Sequence, residues 1–173
     1  IHIEGEHKSP CCLIYNREHW VKGSVDQAWS SDQFNQIRSA FDRGERHPAC
    51  VTCWRQESVS QRSPRHGYTQ RQSADTGIDN RPTQPRSVQW SFSNTCNYAC
   101  RTCNLKYSTG WLRETRQLAD QGDQDSVNLV TTHAKSPWDQ TRMEEIVPHL
   151  ESVTHLELFG GETLLSARMP LLL

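Results

Sequence analysis

Three of the seven cysteines of this chain fall within eight consecutive positions, in the segment CNYACRTC. They are Cys96, Cys100 and Cys103, spaced as C-x-x-x-C-x-x-C. Thiolates are soft donors that favour zinc, copper(I) and iron-sulfur clusters. Three of them so close together can converge on one centre only if the backbone wraps around it, so the triplet strongly restricts the conformation of this segment.

The spacing of the triplet discriminates between the centres that it could hold. Structural zinc sites typically take four ligands from two separated pairs, and no His or further Cys lies within twenty residues of the triplet. A zinc ion would therefore need a remote ligand, and disulfide pairing would leave one thiol over. Three ligands on a four-iron cluster would instead leave one iron open to a small molecule. An open coordination position is typical of catalytic metal sites.

The other four cysteines form two groups in the first third of the chain. Cys50 and Cys53 form a C-x-x-C pair, which is compatible with a zinc site, a redox dithiol or an iron-sulfur cluster. Cys11 and Cys12 are adjacent, so both can hardly bind the same metal. We favour Cys12 as a ligand and keep Cys11 as its alternative, because one of the two is expected to be a small buried side chain.

Charge and hydropathy narrow the range of partners. The formal net charge is −1, which argues against a dominant nucleic-acid-binding surface, although residues 55–86 carry six Arg against three acidic side chains. No apolar run approaches the ~18 residues of a membrane span. The sequence shows no secretory signal peptide. We therefore expect a cytoplasmic protein that has neither a membrane nor a nucleic acid as its partner.

Hydrophobic periodicity and breaker residues divide the chain into three parts. Residues 1–57 are predicted to form a small cysteine-rich domain, with a hairpin over residues 1–13 and a helix over residues 30–44. That helix could carry the second cysteine pair back toward the first. Residues 58–86 are rich in Ser, Gln, Arg and Pro and are predicted to be a linker. The third part is formed by residues 87–173.

The third part begins with a strand over residues 87–93, where apolar and polar residues alternate, and the cysteine triplet follows the carboxyl end of this strand. A helix is predicted over residues 108–119, followed by a polar insertion over 121–135. A second helix is predicted to start at Ser136 and to be kinked or ended early by Pro148. A strand is predicted over 156–159. Strand, helices and strand in this order specify two parallel strands joined by a right-handed crossover.

The C-x-x-x-C-x-x-C triplet after a first strand resembles the signature of radical S-adenosylmethionine (SAM) enzymes. The whole run WSFSNTCNYACRTCNLKYSTGWLRE resembles the branch of that family that carries an extra, smaller cysteine-rich domain. LELFGGETLL is similar to the second strand of that family, whose Gly-Gly-Glu end holds the amino group of SAM. SPCCL and the later C-x-x-C resemble auxiliary-cluster ligands of the branch that carries a SPASM or twitch domain, here at the N-terminus. Thr102 and Thr163 depart from the family pattern, which often has an aromatic residue and a proline at these positions.

The resemblance implies that the cysteine triplet holds a [4Fe-4S] cluster whose open iron binds SAM. The cofactor-binding residues would be Gly160, Gly161 and Glu162. An auxiliary iron-sulfur cluster would be held by Cys12, Cys50 and Cys53. A reductant such as flavodoxin or ferredoxin would supply the electron that cleaves SAM to a 5'-deoxyadenosyl radical. This radical would abstract a hydrogen atom from a substrate that is unknown. In many relatives with such auxiliary domains the substrate is a peptide. The alternative is a non-catalytic iron-sulfur or zinc-binding module for electron transfer.

The predicted fold class is α/β: the first two strands and crossover helices of a partial radical SAM barrel, preceded by a small α+β twitch-like domain. Even a three-quarter barrel needs six strands, at roughly 30 residues per strand-helix unit. Residues 87–173 have room for two strands. We therefore expect an internal fragment of a longer enzyme, inactive by itself because its second strand would keep an exposed edge.

Overall fold

The computed structural model describes residues 1–60, 62–74, 83–135, 143–167 and 169–171. Within these ranges the chain forms a mixed α/β fold with a five-stranded sheet and seven helices. The strands are β1 His2–Glu4, β2 His7–Ser9, β3 Val21–Lys22, β4 Ser87–Ser93 and β5 His155–Gly160. The helices are α1 Val25–Trp29, α2 Asp32–Asp42, α3 Val51–Val59, α4 Pro64–Ala74, α5 Leu112–Asp120, α6 Gln124–His133 and α7 Met143–Leu150. No helix in the described ranges is long and apolar enough to cross a membrane.

The sheet has the strand order β3-β2-β1-β4-β5. Strands β1 and β2, and β2 and β3, pair antiparallel, whereas β1 pairs with β4 and β4 with β5 in parallel. The α/β class and the parallel pair β4 and β5 are therefore confirmed. The pairing of β1 with β4, in which Ile3 lies opposite Trp90, was not predicted from the strand patterns. It joins the N-terminal hairpin and the strand before the cysteine triplet in one sheet.

The N-terminal hairpin is shorter than its sequence pattern predicted. Its turn contains Gly5, which has a positive φ of 58°, and its return strand β2 ends at Ser9. The prediction that Cys11 and Cys12 lie in the return strand is wrong: they follow it, in a turn where the Ile14 N–H donates to the Cys11 carbonyl oxygen at 3.2 Å. The chain leaves the sheet here because a turn takes the place of further strand pairing.

The core lies between one face of the sheet and helices α1, α2 and α7. Alternation along β4 directs three of its side chains into this core, where they meet residues of β1 and of the three helices. The buried members of the cluster are Ile1, Ile3, Val25, Ala28, Phe34, Val88, Trp90, Phe92 and Ile146. Gln89 and Ser91 lie on the opposite face of β4, where Gln89 Nε2 donates to Glu157 Oε2 of β5 at 2.7 Å. The two faces of the sheet therefore differ sharply in polarity.

Helix α2 is confirmed but is shorter than the prediction over residues 30–44, since it spans Asp32–Asp42. The Ser31 hydroxyl caps it by accepting a hydrogen bond from the Phe34 N–H at 3.3 Å. Phe34, Ile37 and Ala40 form its buried stripe, and Gly44, with a φ of 71°, follows its last turn. The helix leads the chain into the turn that carries the second cysteine pair.

Two segments predicted to be irregular contain helices. Helix α4 lies within the predicted linker, residues 58–86, and its Tyr68 hydroxyl accepts a hydrogen bond from Gln89 on the polar face of the sheet. Residues 121–135 are not an irregular insertion, because α6 occupies most of them and packs against α5. The buried residues of α5 and α6 are Thr115 and Ser126. Such small polar contacts leave no hydrophobic periodicity in the sequence, which explains why no helix was predicted over 121–135.

Helix α7 contains Pro148 near its end and stops at Leu150, in agreement with the early end predicted for it. The start predicted at Ser136 lies outside the described residues. Strand β5 follows, in the place predicted for the second parallel strand.

Candidate metal and cofactor site

The two segments singled out in the sequence meet at one edge of the sheet. Strands β4 and β5 are parallel and end side by side, with Ser93 opposite Gly160. Backbone hydrogen bonds continue past this point: Gly161 N–H donates to the Ser93 carbonyl at 2.8 Å, and Glu162 N–H donates to the Thr95 carbonyl at 2.7 Å. The Gly-Gly-Glu segment therefore runs directly beside the residues that lead into Cys96.

Both glycines are required by the space between the two segments. Gly160 has a φ of 134°, and a Cβ atom added to it would lie 1.7 Å from the Ser93 carbonyl oxygen. A Cβ atom added to Gly161 would lie 2.3 Å from the Thr95 carbonyl oxygen and 2.8 Å from Cys96 Cβ. No other residue type fits at either position without moving the backbone that leads to the first cysteine.

Asn94 ties the two ends of the cysteine loop, residues 94–105, together. Its side chain is fully buried, and Nδ2 donates to the Leu105 carbonyl at 3.2 Å and to the His133 carbonyl at 3.1 Å. Leu105 is also fully buried. The loop therefore starts and ends at fixed points, while the cysteines lie between them. The sequence analysis missed Asn94, which is recognisable only as a polar residue directly after a buried strand.

The three thiols of the loop remain accessible. Cys96 and Cys103 are half-buried and Cys100 is exposed. The Tyr98 N–H donates to Cys96 Sγ at 3.4 Å, and the Cys103 N–H closes a turn onto the Cys100 carbonyl at 2.9 Å. Within the described part of the chain, no three His, Cys, Asp or Glu side chains are gathered as a metal site would require. The loop thus presents three soft donors at one edge of the sheet without a preassembled coordination geometry.

The structure also brings the N-terminal cysteine groups near each other. Cys11 and Cys50 pack against the same small cluster, formed by Ile14, Ile37 and Ala49. Burial and, to a smaller extent, the neighbouring Cys11 and Cys53 thiols together raise the pKa of Cys50 to about 11. These contacts agree with the prediction that α2 carries the second cysteine pair back toward the first.

Cys11 and Cys12 differ in their readiness to ionise. A hydrogen bond from Cys11, together with a weaker one from the Gln89 side chain, lowers the pKa of Cys12 to about 7 against the opposing effect of burial. The same contact with Cys12, followed by burial, raises the pKa of Cys11 well above its usual range. Cys12 is therefore the thiol of this pair that loses its proton first, and metal ligation requires the thiolate.

A charged cluster that sequence reasoning missed lies at the carboxyl end of β1. The Glu4 carboxylate lies 3.3 Å from Arg17 Nη2, 3.4 Å from Lys106 Nζ and 4.0 Å from His2 Nε2. The neighbouring His2 side chain and the charges of Lys106 and Arg17 lower the pKa of Glu4 to about 2, although its partial burial opposes this shift. Because β1 is parallel to β4, this cluster lies at the same edge of the sheet as the cysteine loop.

No protein-family model, curated protein or solved structure matches this chain. Its functional interpretation therefore depends on the residues and their geometry.

Proposed function

We propose that this chain is part of a radical SAM enzyme, with a [4Fe-4S] cluster bound by Cys96, Cys100 and Cys103. One observation carries the proposal: the Gly-Gly-Glu segment and the cysteine loop, far apart in the sequence, lie side by side at the carboxyl ends of adjacent parallel strands. Ligands of parallel α/β sheets bind outside this end of the strands. A lone Gly-Gly-Glu would carry little weight, but the contact of Gly161 with Cys96 connects the two motifs physically.

The donor set fits this cofactor. Three thiols on one loop can ligate three irons of a four-iron cluster and leave the fourth open. When bound, the cluster supplies the electron that cleaves SAM and yields a 5'-deoxyadenosyl radical for hydrogen abstraction. Because Gly161 has no side chain, the backbone of the Gly-Gly-Glu segment can pass directly beside Cys96. The Glu162 carboxylate is exposed, and the bond from its backbone N–H to Thr95 fixes its distance from the loop, so it can pair with the ammonium group of SAM.

The N-terminal thiols would form a second centre. In this proposal Cys12, Cys50 and Cys53 ligate an auxiliary iron-sulfur cluster, and Cys11 contributes the hydrogen bond that favours the Cys12 thiolate. Two observations support this role. Cys11 and Cys50 pack against the same small hydrophobic cluster, and the nearby Cys53 thiol contributes to the raised pKa of Cys50.

Anaerobic reconstitution with iron and sulfide tests the proposed function. The chain is compared with a variant in which all three loop cysteines are changed to alanine and with a control, Ser58→Ala, which changes an exposed side chain of α3 outside both proposed centres. Reduced wild-type protein and the control are expected to give a [4Fe-4S] electron paramagnetic resonance (EPR) signal that SAM perturbs. The triple variant is expected to lose this signal. Unchanged iron content and SAM response in the triple variant would overturn the proposal, and stoichiometric zinc with no response to SAM would support the non-catalytic module instead.

A further inference from the structure

The segment Ser108–Trp111, which precedes α5 as a single helical turn, lies along the cysteine loop. At Cys96, the Thr109 hydroxyl of this segment forms two hydrogen bonds. It accepts from the Cys96 N–H at 3.0 Å and donates to the Cys96 carbonyl at 3.1 Å. The Thr109 N–H donates to the Asn94 carbonyl at 2.9 Å. One threonine therefore satisfies both backbone groups of the first cysteine.

Ser108 and Gly110 contact Tyr98, the middle one of the three residues between the first two cysteines. The buried Ser108 hydroxyl donates to the Tyr98 carbonyl and accepts from the Gly110 N–H at 3.1 Å. A Cβ atom added to Gly110 would lie 2.3 Å from the same Tyr98 carbonyl oxygen. The backbone of the segment thus approaches the backbone of the loop as closely as a glycine allows.

Trp111 contacts the second cysteine. Its Nε1–H donates to the Cys100 carbonyl at 3.1 Å, and its own carbonyl accepts from the Thr115 hydroxyl, one turn into α5, at 2.7 Å. The loop is therefore connected through Trp111 to a regular helix. None of the contacts from Ser108, Thr109 or Trp111 uses a thiol, so all three sulfur atoms stay available.

From these contacts we infer that Ser108–Trp111 is a positioning element, which fixes the backbone of Cys96 and Cys100 so that their thiolates can close on a metal cluster. This inference rests on the proposed function, because it assigns the loop a cluster to bind. A ligand loop that is already fixed loses less conformational entropy when its centre binds. Groups that orient metal ligands therefore contribute to metal affinity without touching the metal.

Thr109→Val tests the inference most directly, because it keeps the volume of the side chain and removes both hydrogen bonds to Cys96. Thr109→Ser keeps the hydroxyl and serves as the rescue variant. The matched control is Thr131→Val, which removes an exposed threonine hydroxyl of α6 that donates to the Val127 carbonyl at 2.8 Å. Each chain is tested twice: metal-free, by the alkylation rate of each cysteine, and reconstituted, by iron retention against a chelator and the midpoint potential of the cluster.

In the metal-free chain, Thr109→Val is expected to raise the alkylation rate of Cys96 about 5- to 30-fold, the factors for losing one or both hydrogen bonds to its backbone. In the reconstituted chain it is expected to weaken iron retention roughly 10-fold, as loss of an outer-shell contact does, and to shift the midpoint potential. Thr109→Ser and Thr131→Val should behave like wild type in every measurement.

Wild-type values for Thr109→Val in both measurements would overturn the inference, as would an equal loss in Thr131→Val. If the wild-type chain fails to assemble a cluster, the proposed function is wrong. In that case the alkylation rates of the metal-free chains still test whether Thr109 positions Cys96.

Discussion

Gly161 and Cys96 are in direct contact: a Cβ atom at Gly161 would lie 2.8 Å from the Cβ of Cys96. This contact joins the carboxyl ends of β4 and β5, where the proposed cofactor would bind. The close packing around Gly160 and Gly161 can therefore be tested by the loss of stability that an alanine substitution causes.

Gly160→Ala should lower the free energy of unfolding much more than Gly122→Ala, a substitution that costs only backbone strain. Gly122 has a φ of 90° but no neighbouring atom within 4 Å of an added Cβ, so Gly122→Ala reports the cost of the left-handed backbone alone, about 1–2 kcal/mol. In Gly160→Ala the contact with the Ser93 carbonyl adds about 1–3 kcal/mol of overpacking. Urea unfolding of both variants checks this, and equal losses would mean that β4 and β5 do not approach as described.

Asn94→Asp should destabilise the chain by about 2 kcal/mol or more, because it removes a buried donor and sets a carboxylate against two carbonyl oxygens. The control is Asn35→Asp on the exposed side of α2, where the side-chain amide donates to the Ser30 carbonyl and solvent can replace it. Its free energy of unfolding should change by less than about 1 kcal/mol. A similar cost for both variants would contradict the role of Asn94 as the tie between the two ends of the cysteine loop.

The stability of the chain should depend on the ionisation of Glu4 in acid. Its pKa is lowered from 4.5 to about 2 in the folded chain, so its contribution is present above pH 4.5 and is lost as the pH falls toward 2. Glu4→Gln should therefore be less stable than wild type at pH 7, with a difference that shrinks at low pH. Free energies of unfolding at pH 7 and pH 3 check this. Glu6→Gln removes an exposed pair with Lys22 and should have a smaller effect that salt abolishes.

The ion pair between Lys8 and Glu145 should hold the N-terminal hairpin against α7. Lys8 is buried, its Nζ lies 2.8 Å from Glu145 Oε1, and it also contacts the Gly23 carbonyl. Lys8→Met leaves the carboxylate without this partner and should cost about 3–5 kcal/mol. The double variant Lys8→Met, Glu145→Gln should recover part of this loss. A full double-mutant cycle by urea unfolding measures the coupling, and additive effects would show that the two residues do not interact.

Strong periodic patterns predicted their elements well. The alternation over β4 and the helical spacing of Phe34 and Ile37 in α2 each reflect a face that is buried in the core, so the pattern and the structure agree. Helix α6 gave no such signal, because Ser126 is its buried contact. The three residues of β1 are too few to specify a partner strand, so its parallel pairing with β4 could not be read from the sequence.

The sequence offered candidate site residues but not the residues that support them. Spacing singled out the cysteine triplet, and the resemblance to radical SAM enzymes singled out Gly160 and Gly161. Asn94 and Thr109 act through backbone groups of the loop, and a hydrogen bond to a carbonyl leaves no recurring pattern of residue types. The cluster around Glu4 was missed for a related reason, because it depends on the unpredicted position of β1 beside β4.

Because β4 lies between two parallel neighbours, a further strand can pair with the sheet only at one of its two edge strands, and these differ in length. The backbone of β4 is paired with a strand on each side. At one end of the sheet, β3 has only two residues and so presents few backbone groups to a further strand. At the other end, β5 presents six residues whose outer side meets no other strand of the described ranges. A strand added from this or another polypeptide would therefore be recruited beyond β5, next to Gly160 and Gly161 and away from the hairpin.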